Sequence, residues 1–173
     1  MQRSFAMDKI SWIKDLIDAE VKMEESGMVD FSAGFNANEA IKVETVEFIK
    51  DLKVLFVEAS SAFNQMKTTS SGQIKIYGIA KTIADFMLFR NGYKLIFSIK
   101  GPGKLSVSFN HIGNAFIPGQ TIEKNAPRQI KEDQLVAEWV AFEELIWKFK
   151  DHEIKNLDFL VRYYMTRFVR ESV

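Results

Sequence analysis

The chain has 173 residues, 47% hydrophobic and 27% charged with zero formal net charge, which is enough apolar material to bury a core and too much for wholesale disorder. It has no cysteine, which excludes disulfides, thiolate metal sites, iron–sulfur clusters and cysteine nucleophiles. No run approaches the ~20 consecutive apolar residues of a membrane-spanning helix, and Asp8, Lys9, Lys14 and Asp15 interrupt any secretory leader, so the expectation is one cytoplasmic α+β domain over 1–173, with 1–6 a disordered leader and Met7 an alternative start.

The zero net charge hides a layout. Residues 1–67 carry 8 Lys/Arg against 12 Asp/Glu, residues 68–131 carry 9 against 2, and residues 132–173 carry 6 against 9. A basic middle therefore sits between two acidic ends, and the hydrophobic period changes at the same places.

Residues 8–26 space Ile10, Ile13, Ile17 and Val21 by three and four, with Leu16 beside them; this predicts an amphipathic helix stopped at Gly27. A loop containing Gly34 follows. Asn36 and Glu39 have capping-box spacing and open a second helix to about Lys67. Its stripe is Val46, Ile49, Leu52, Phe56, Ala59, Phe63 and Met66, widened by Val43, Phe48, Leu55 and Ala62. So broad an apolar face predicts a central, buried helix. Residues 53–57 are also compatible with a short strand.

The Thr68-Thr69-Ser70-Ser71-Gly72 run ends the helix, and the period becomes two. Strands are expected over 73–79, 83–90, 93–100 and 104–110. Asn91-Gly92 is a type I′ hairpin signal, because that turn requires positive φ at both central residues. Gly101-Pro102-Gly103 makes a three-residue turn with Gly103 left-handed. The first turn pairs Arg90 with Tyr93, Leu88 with Leu95, Phe86 with Phe97 and Ala84 with Ile99. The second pairs Ile99 with Leu105, Phe97 with Val107 and Leu95 with Phe109. Both place the same apolar side chains on one face, which predicts the core face of a four-stranded antiparallel meander.

Residues 111–131, broken by Gly113, Pro118-Gly119 and Pro127, are expected to form a long loop, functional in itself or hiding a strand at Ala115-Phe116-Ile117. A third helix is expected from Asp133, with Leu135, Trp139, Phe142, Ile146 and Phe149 in one seam and Lys148 and Lys150 complementing its dipole. Asn156 caps a fourth, striped by Leu157, Leu160, Val161, Tyr164 and Phe168. The expected fold is α+β: a four-stranded meander over about 73–110, flanked by two N-terminal and two C-terminal helices. No internal repeat or low-complexity tract is visible.

Catalytic signals are weak. The two histidines, His111 and His152, lack metal-ligand spacing, and Asp151-His152-Glu153 reads as a solvated turn between helices. Gly101-Pro102-Gly103-Lys104 lacks phosphate-loop spacing and joins strands instead of opening a helix. No nucleophile elbow or dinucleotide fingerprint occurs, and Glu24-Glu25 and Glu143-Glu144 read as solvated helical faces. Asp85, Ser98 and His111 are polar but scattered. The expectation is a non-enzyme with no metal and no cofactor.

The basic middle asks for a partner. Phe89, Lys94, Ile96, Lys100, Lys104, Ser106 and Ser108 are expected on the non-core sheet face. Lysines interleaved with aromatics suit nucleic-acid binding, but net neutrality and the missing aromatic RNA-binding motif favour compensation by acidic helices laid over that face. Tyr163, Arg167 and Arg170, at i, i+4 and i+7, form a second candidate docking patch on a solvent-facing flank. With Met87, Phe89 and Ile96 also wanting cover, the functional expectation is a non-enzymatic protein-interaction domain that self-associates. The alternative is a ligand- or nucleic-acid-binding module using the lysine face.

Overall fold

A computed structural model of the chain describes residues 11–31, 33–111 and 131–173. The expected leader, the loop after His111 and the strand at Ala115-Phe116-Ile117 lie outside the described residues. The fold is α+β, with helices α1 (Ser11–Ser26), α2 (Ala37–Met66) and α3 (Leu157–Glu171). Among the described residues seven strands run β1 (Lys75–Gly78), β2 (Phe86–Arg90), β3 (Tyr93–Gly101), β4 (Lys104–His111), β5 (Lys131–Val140), β6 (Glu144–Phe149) and β7 (His152–Glu153). They form one antiparallel sheet in sequence order.

Helix α2 begins where the capping residues place it. The Asn36 side chain accepts a hydrogen bond from the Glu39 N–H at 3.1 Å, satisfying one of the donors a helix start leaves without a partner. The helix runs 30 residues and carries 53–57 with it, so the strand alternative there does not occur. Phe48, Ile49, Leu52 and Phe56 are buried along it. Helix α1 ends at Gly27, φ +66°, as expected, but its apolar stripe stays out of the core. Trp12, Ile13, Leu16, Ile17 and Val21 are 42–51% exposed, and Ala19 is the residue that α1 buries.

The two central hairpins have the expected register. Asn91 and Gly92 take φ 49° and 77°, and Arg90 pairs with Tyr93, Leu88 with Leu95 and Phe86 with Phe97. Ile99 pairs with Leu105, Phe97 with Val107 and Leu95 with Phe109. The expected pair Ala84–Ile99 does not form. The chain leaves the ladder at Asp85, whose carboxylate takes the Ile99 N–H at 2.9 Å. A bulge between Ile99 and Gly101 carries Lys100 out of the strict alternation. At the next turn the Gly103 N–H donates to Thr45 Oγ1 at 2.7 Å, fastening the hairpin to α2.

The expected third helix is not there. Residues 131–149 form β5, one 3₁₀ turn over Ala141–Glu143, and β6. The seam that suggested a helix, Leu135, Trp139, Phe142, Ile146 and Phe149, spaces by four and three, yet the same stretch also alternates. Leu135, Ala137 and Trp139 pair with Phe149, Trp147 and Leu145, and the period of two wins because this sheet has a core face to extend. The connecting turn puts two non-glycine residues, Phe142 (φ 62°) and Glu143 (φ 57°), in the left-handed region. The expected helix–helix junction at Asp151-His152-Glu153 is also a hairpin: Lys150 (φ 47°) and Asp151 (φ 64°) form its two-residue turn, and Phe149 pairs with His152.

One face of the sheet is the core. Phe86, Leu88, Leu95, Phe97, Leu105, Val107 and Leu135 are buried there beneath α2 and α3. Phe56 of α2 packs on Phe97 at 4.9 Å, Phe48 stacks on Trp147 at 4.1 Å, and Tyr164 of α3 meets Phe97 edge-on at 5.8 Å. Each such ring contributes about 1.5–3 kcal/mol by leaving water. Arg90, 7% exposed, closes one end of this layer. Its guanidinium donates to Gly72 O (2.7 Å), Val169 O (3.1 Å) and Ser172 Oγ (2.8 Å) and lies over the Phe63 ring. The positive charge thus sits at the C-terminal, negative end of the α3 dipole. No helix among the described residues is long and apolar enough to cross a membrane.

Candidate functional site

The cross-strand pairs put Phe89 beside Lys94, Ile96 beside Ser108 and Ser98 beside Ser106, with Lys104 two residues from Ser106 on the same face. Lys100, in the bulge, is exposed but does not extend that row. Phe89, Lys94, Ile96 and Ser108 are half-buried, and Ser106 is buried with its hydroxyl donated to the Glu132 carboxylate. Helix α2 lies on the opposite, apolar face, so it does not compensate the lysines. Acids share that face further along the sheet. Pairs Ser108–Glu132, Lys104–Val136, Val136–Lys148, Glu138–Ile146 and Lys148–Glu153 continue the lysine face across β5, β6 and β7. Glu138 bonds the Lys148 ammonium and raises its pKa. The expected third helix takes in Glu138, and Glu153 is expected in a turn; the alternation at 132–140 is the signal that places Glu132 and Glu138 on the sheet.

Of the expected flank, Tyr163 and Arg170 are solvent-exposed and Arg167 is half-buried. Arg167 turns inward, its guanidinium 3.9 Å from the Phe109 ring centroid, and it pairs with Glu171 at 3.1 Å and Asp133 at 3.4 Å. Tyr163 packs against Phe149 and Tyr164. Beside them the Tyr164 hydroxyl donates to Asp133 Oδ2 at 3.1 Å and the Tyr93 hydroxyl donates to Glu171. Burial first, then the neighbouring carboxylate, pushes both phenols well above the ordinary tyrosine range. The cluster fastens α3 to β3–β5.

A different surface is concave, and neither spacing nor charge pointed to it. A groove of about 770 Å³ runs between α2 and the outer edge of β6, closed at one end by the segment leading into α3. Phe48, Val54, Leu55, Leu145, Trp147, Ile154 and Leu157 make it apolar, while Glu144, Glu153 and Asp158 stand among its polar lining residues. It exists because β7 is only two residues long and pairs β6 only at Lys148 and Phe149. One further bond, Ile154 N–H to Trp147 O at 2.7 Å, prolongs the contact before the chain turns away. Main-chain groups in an antiparallel strand point alternately to either neighbour. Phe149 and Trp147 face β7, so the N–H and C=O of Leu145 face the groove beyond its end. Trp147 is 5% exposed and its indole N–H has no acceptor among the described residues. Phe142, 100% exposed, crowns the turn whose two ends, Val140 and Glu144, both line the groove.

The other edge of the sheet is guarded. β1 is four residues long, with an exposed lysine at its start, and just before it the Asn64 side-chain amide holds both Ile74 N–H and Ile74 O at 2.8 Å. Short length and lysine are the usual means of blunting an edge. The histidines are apart: His111 ends β4 against the Tyr93 ring at 5.9 Å, and His152 is exposed on β7. Among the described residues no group of three or more His, Asp or Glu is placed to hold a metal ion. No protein-family model matches the chain, and no solved structure matches it.

Proposed function

We propose that the chain is a protein-interaction domain whose docking site is the groove between α2 and the β6 edge. The observation that carries this reading is the main chain of Leu145, which opens into an apolar groove at a sheet edge that β7 does not reach. Strand edges left open and hydrophobic are a liability that folded chains normally blunt; this fold blunts β1 and leaves β6. A protein partner fits better than a polyanion, because the lysine face is interrupted by Glu132, Glu138 and Glu153 in the same plane. The α1 stripe, 42–51% exposed, supports a second contact surface, the natural place for self-association.

The test is selection from a random displayed-peptide library against the wild-type chain and a Val54→Arg variant. Val54 is an exposed α2 residue lining the groove, so the variant fills the site without touching the core. Peptides that bind wild type and lose Val54→Arg are expected. Selected peptides indifferent to Val54→Arg, or none selected, would overturn the assignment.

A further inference from the structure

Resting on the groove as a docking site, we infer that its occupant is an extended segment of alternating basic and apolar residues, which adds to β6 as the next strand. Three features select that chemistry. The first is the backbone. Leu145 offers a donor and an acceptor in strand geometry, and an added strand satisfies both while placing alternate side chains into and out of the groove. A helical ligand would satisfy neither.

The second is charge. Glu44, Asp51, Glu144, Glu153 and Asp158 line the groove against Lys155, so the outward-facing positions of an added strand meet an excess of carboxylates and favour Lys or Arg. The same acids oppose a second copy of this chain at the edge. Pairing β6 with β6 of another molecule would bring two sets of glutamates into one seam, and like charges opposed across strands are destabilising. The acidic rim thus selects a basic partner and discourages edge-to-edge self-assembly.

The third is the apolar anchor. Val54, Leu55, Leu145 and the Phe48–Trp147 stack supply pockets for the inward-facing side chains. Phe142 stands fully exposed on the turn between two lining residues, Val140 and Glu144, on a backbone conformation unfavourable to it. An exposed aromatic in a strained turn is the kind of residue found where binding needs it.

The peptides enriched from the random library test the occupant. They are expected to carry net positive charge, with apolar residues at every second position. Binding should be roughly tenfold weaker to Glu144→Lys/Glu153→Lys, the change of a modest electrostatic coupling, and lost when the resynthesised peptide is N-methylated at alternate residues, which removes its backbone donors. Peptides that lose binding to Val54→Arg but are acidic, space their apolar residues by three and four, or tolerate both N-methylation registers would overturn the added strand while leaving the groove as the docking site. If no enriched peptide responds to Val54→Arg, groove and occupant fall together.

Discussion

Replacing Phe142 by glycine should stabilise the protein. Its side chain is fully exposed, so removing it forfeits no burial, and its backbone sits at φ 62°, ψ 29°. An L-residue in the left-handed region costs about 1–2 kcal/mol; glycine escapes that cost but gives back about 0.4–1 kcal/mol through the greater freedom of the unfolded chain. The net expectation is a gain of about 0.5–1 kcal/mol, or a rise of ~1–4 °C in Tm at this chain length. Phe142→Ala is the control. Alanine keeps the same strain and loses the same side chain, so its stability should stay within about 0.5 kcal/mol of wild type. Urea unfolding followed by circular dichroism measures both. If Phe142→Gly is less stable than wild type, or Phe142→Ala matches the glycine variant, the strain argument is refuted. Phe142→Gly and Phe142→Ala should also weaken binding of selected peptides alike, since stability and binding draw on different parts of that residue.

Three other outcomes follow from the packing. Arg90→Ala removes the guanidinium bonds to Gly72 O, Val169 O and Ser172 Oγ, leaving Gly72 O to Lys67 Nζ at 3.3 Å and Val169 O to Ser172 Oγ at 3.3 Å, and should cost about 2 kcal/mol in urea unfolding, with the end of α3 the first segment to gain hydrogen exchange; a loss under about 0.5 kcal/mol would mean the network contributes nothing net. Gly103→Ala should be worse than Gly92→Ala although both have positive φ. A Cβ at 103 would meet Ile41 Cδ1 at 2.6 Å and Ala137 Cβ at 3.3 Å, whereas nothing lies within 4 Å at 92; about 1 kcal/mol is expected at 92 and ~2–3 at 103, and equal losses would contradict the packing. Because Tyr93 and Tyr164 hold their protons more tightly folded than unfolded, their contribution is complete below pH ~10 and is lost as the pH rises above it. Unfolding curves should therefore weaken above pH ~10 in wild type and less steeply in Tyr164→Phe; parallel pH profiles would contradict this.

The part of the fold readable from sequence is the part governed by local chemistry. The Asn36 cap, the Asn91-Gly92 turn, the Gly103 turn and the Asn156 cap are local devices, and the register between β2 and β3 follows from turn length. Between β3 and β4 the turn closes on Gly101 and Lys104, with two residues between them and not the expected three, and the bulge at Lys100 restores the expected Ile99–Leu105 pair. What misled was the stretch 132–150, where Leu135, Trp139, Phe142, Ile146 and Phe149 satisfy a helical period while Leu135, Ala137 and Trp139 satisfy a strand period. Sequence neighbours cannot decide between these; the waiting edge of β4 does. The β5–β6 turn uses Phe142 and Glu143, and the β6–β7 turn Lys150 and Asp151, where glycine or asparagine would have announced a hairpin. That one misreading hid the groove, because its wall is β6 and its opening is the shortness of β7. It also placed Glu138 on a helix when it shares a sheet face with Lys104 and Lys148. Arg167 alone departs from its expected flank, for a simpler reason: helical spacing gives the side on which a residue lies, but its long side chain bends back over Phe109.

Residue-resolved hydrogen exchange, comparing the free chain with its complex with a selected peptide, tests the central claim most directly. The account predicts that the Leu145 amide, open at the β6 edge, becomes strongly protected, together with the α2 turn around Val54, while α1 and the lysine face do not change. Protection confined to α1 or to strands β2–β4, with Leu145 exchanging as before, would contradict it.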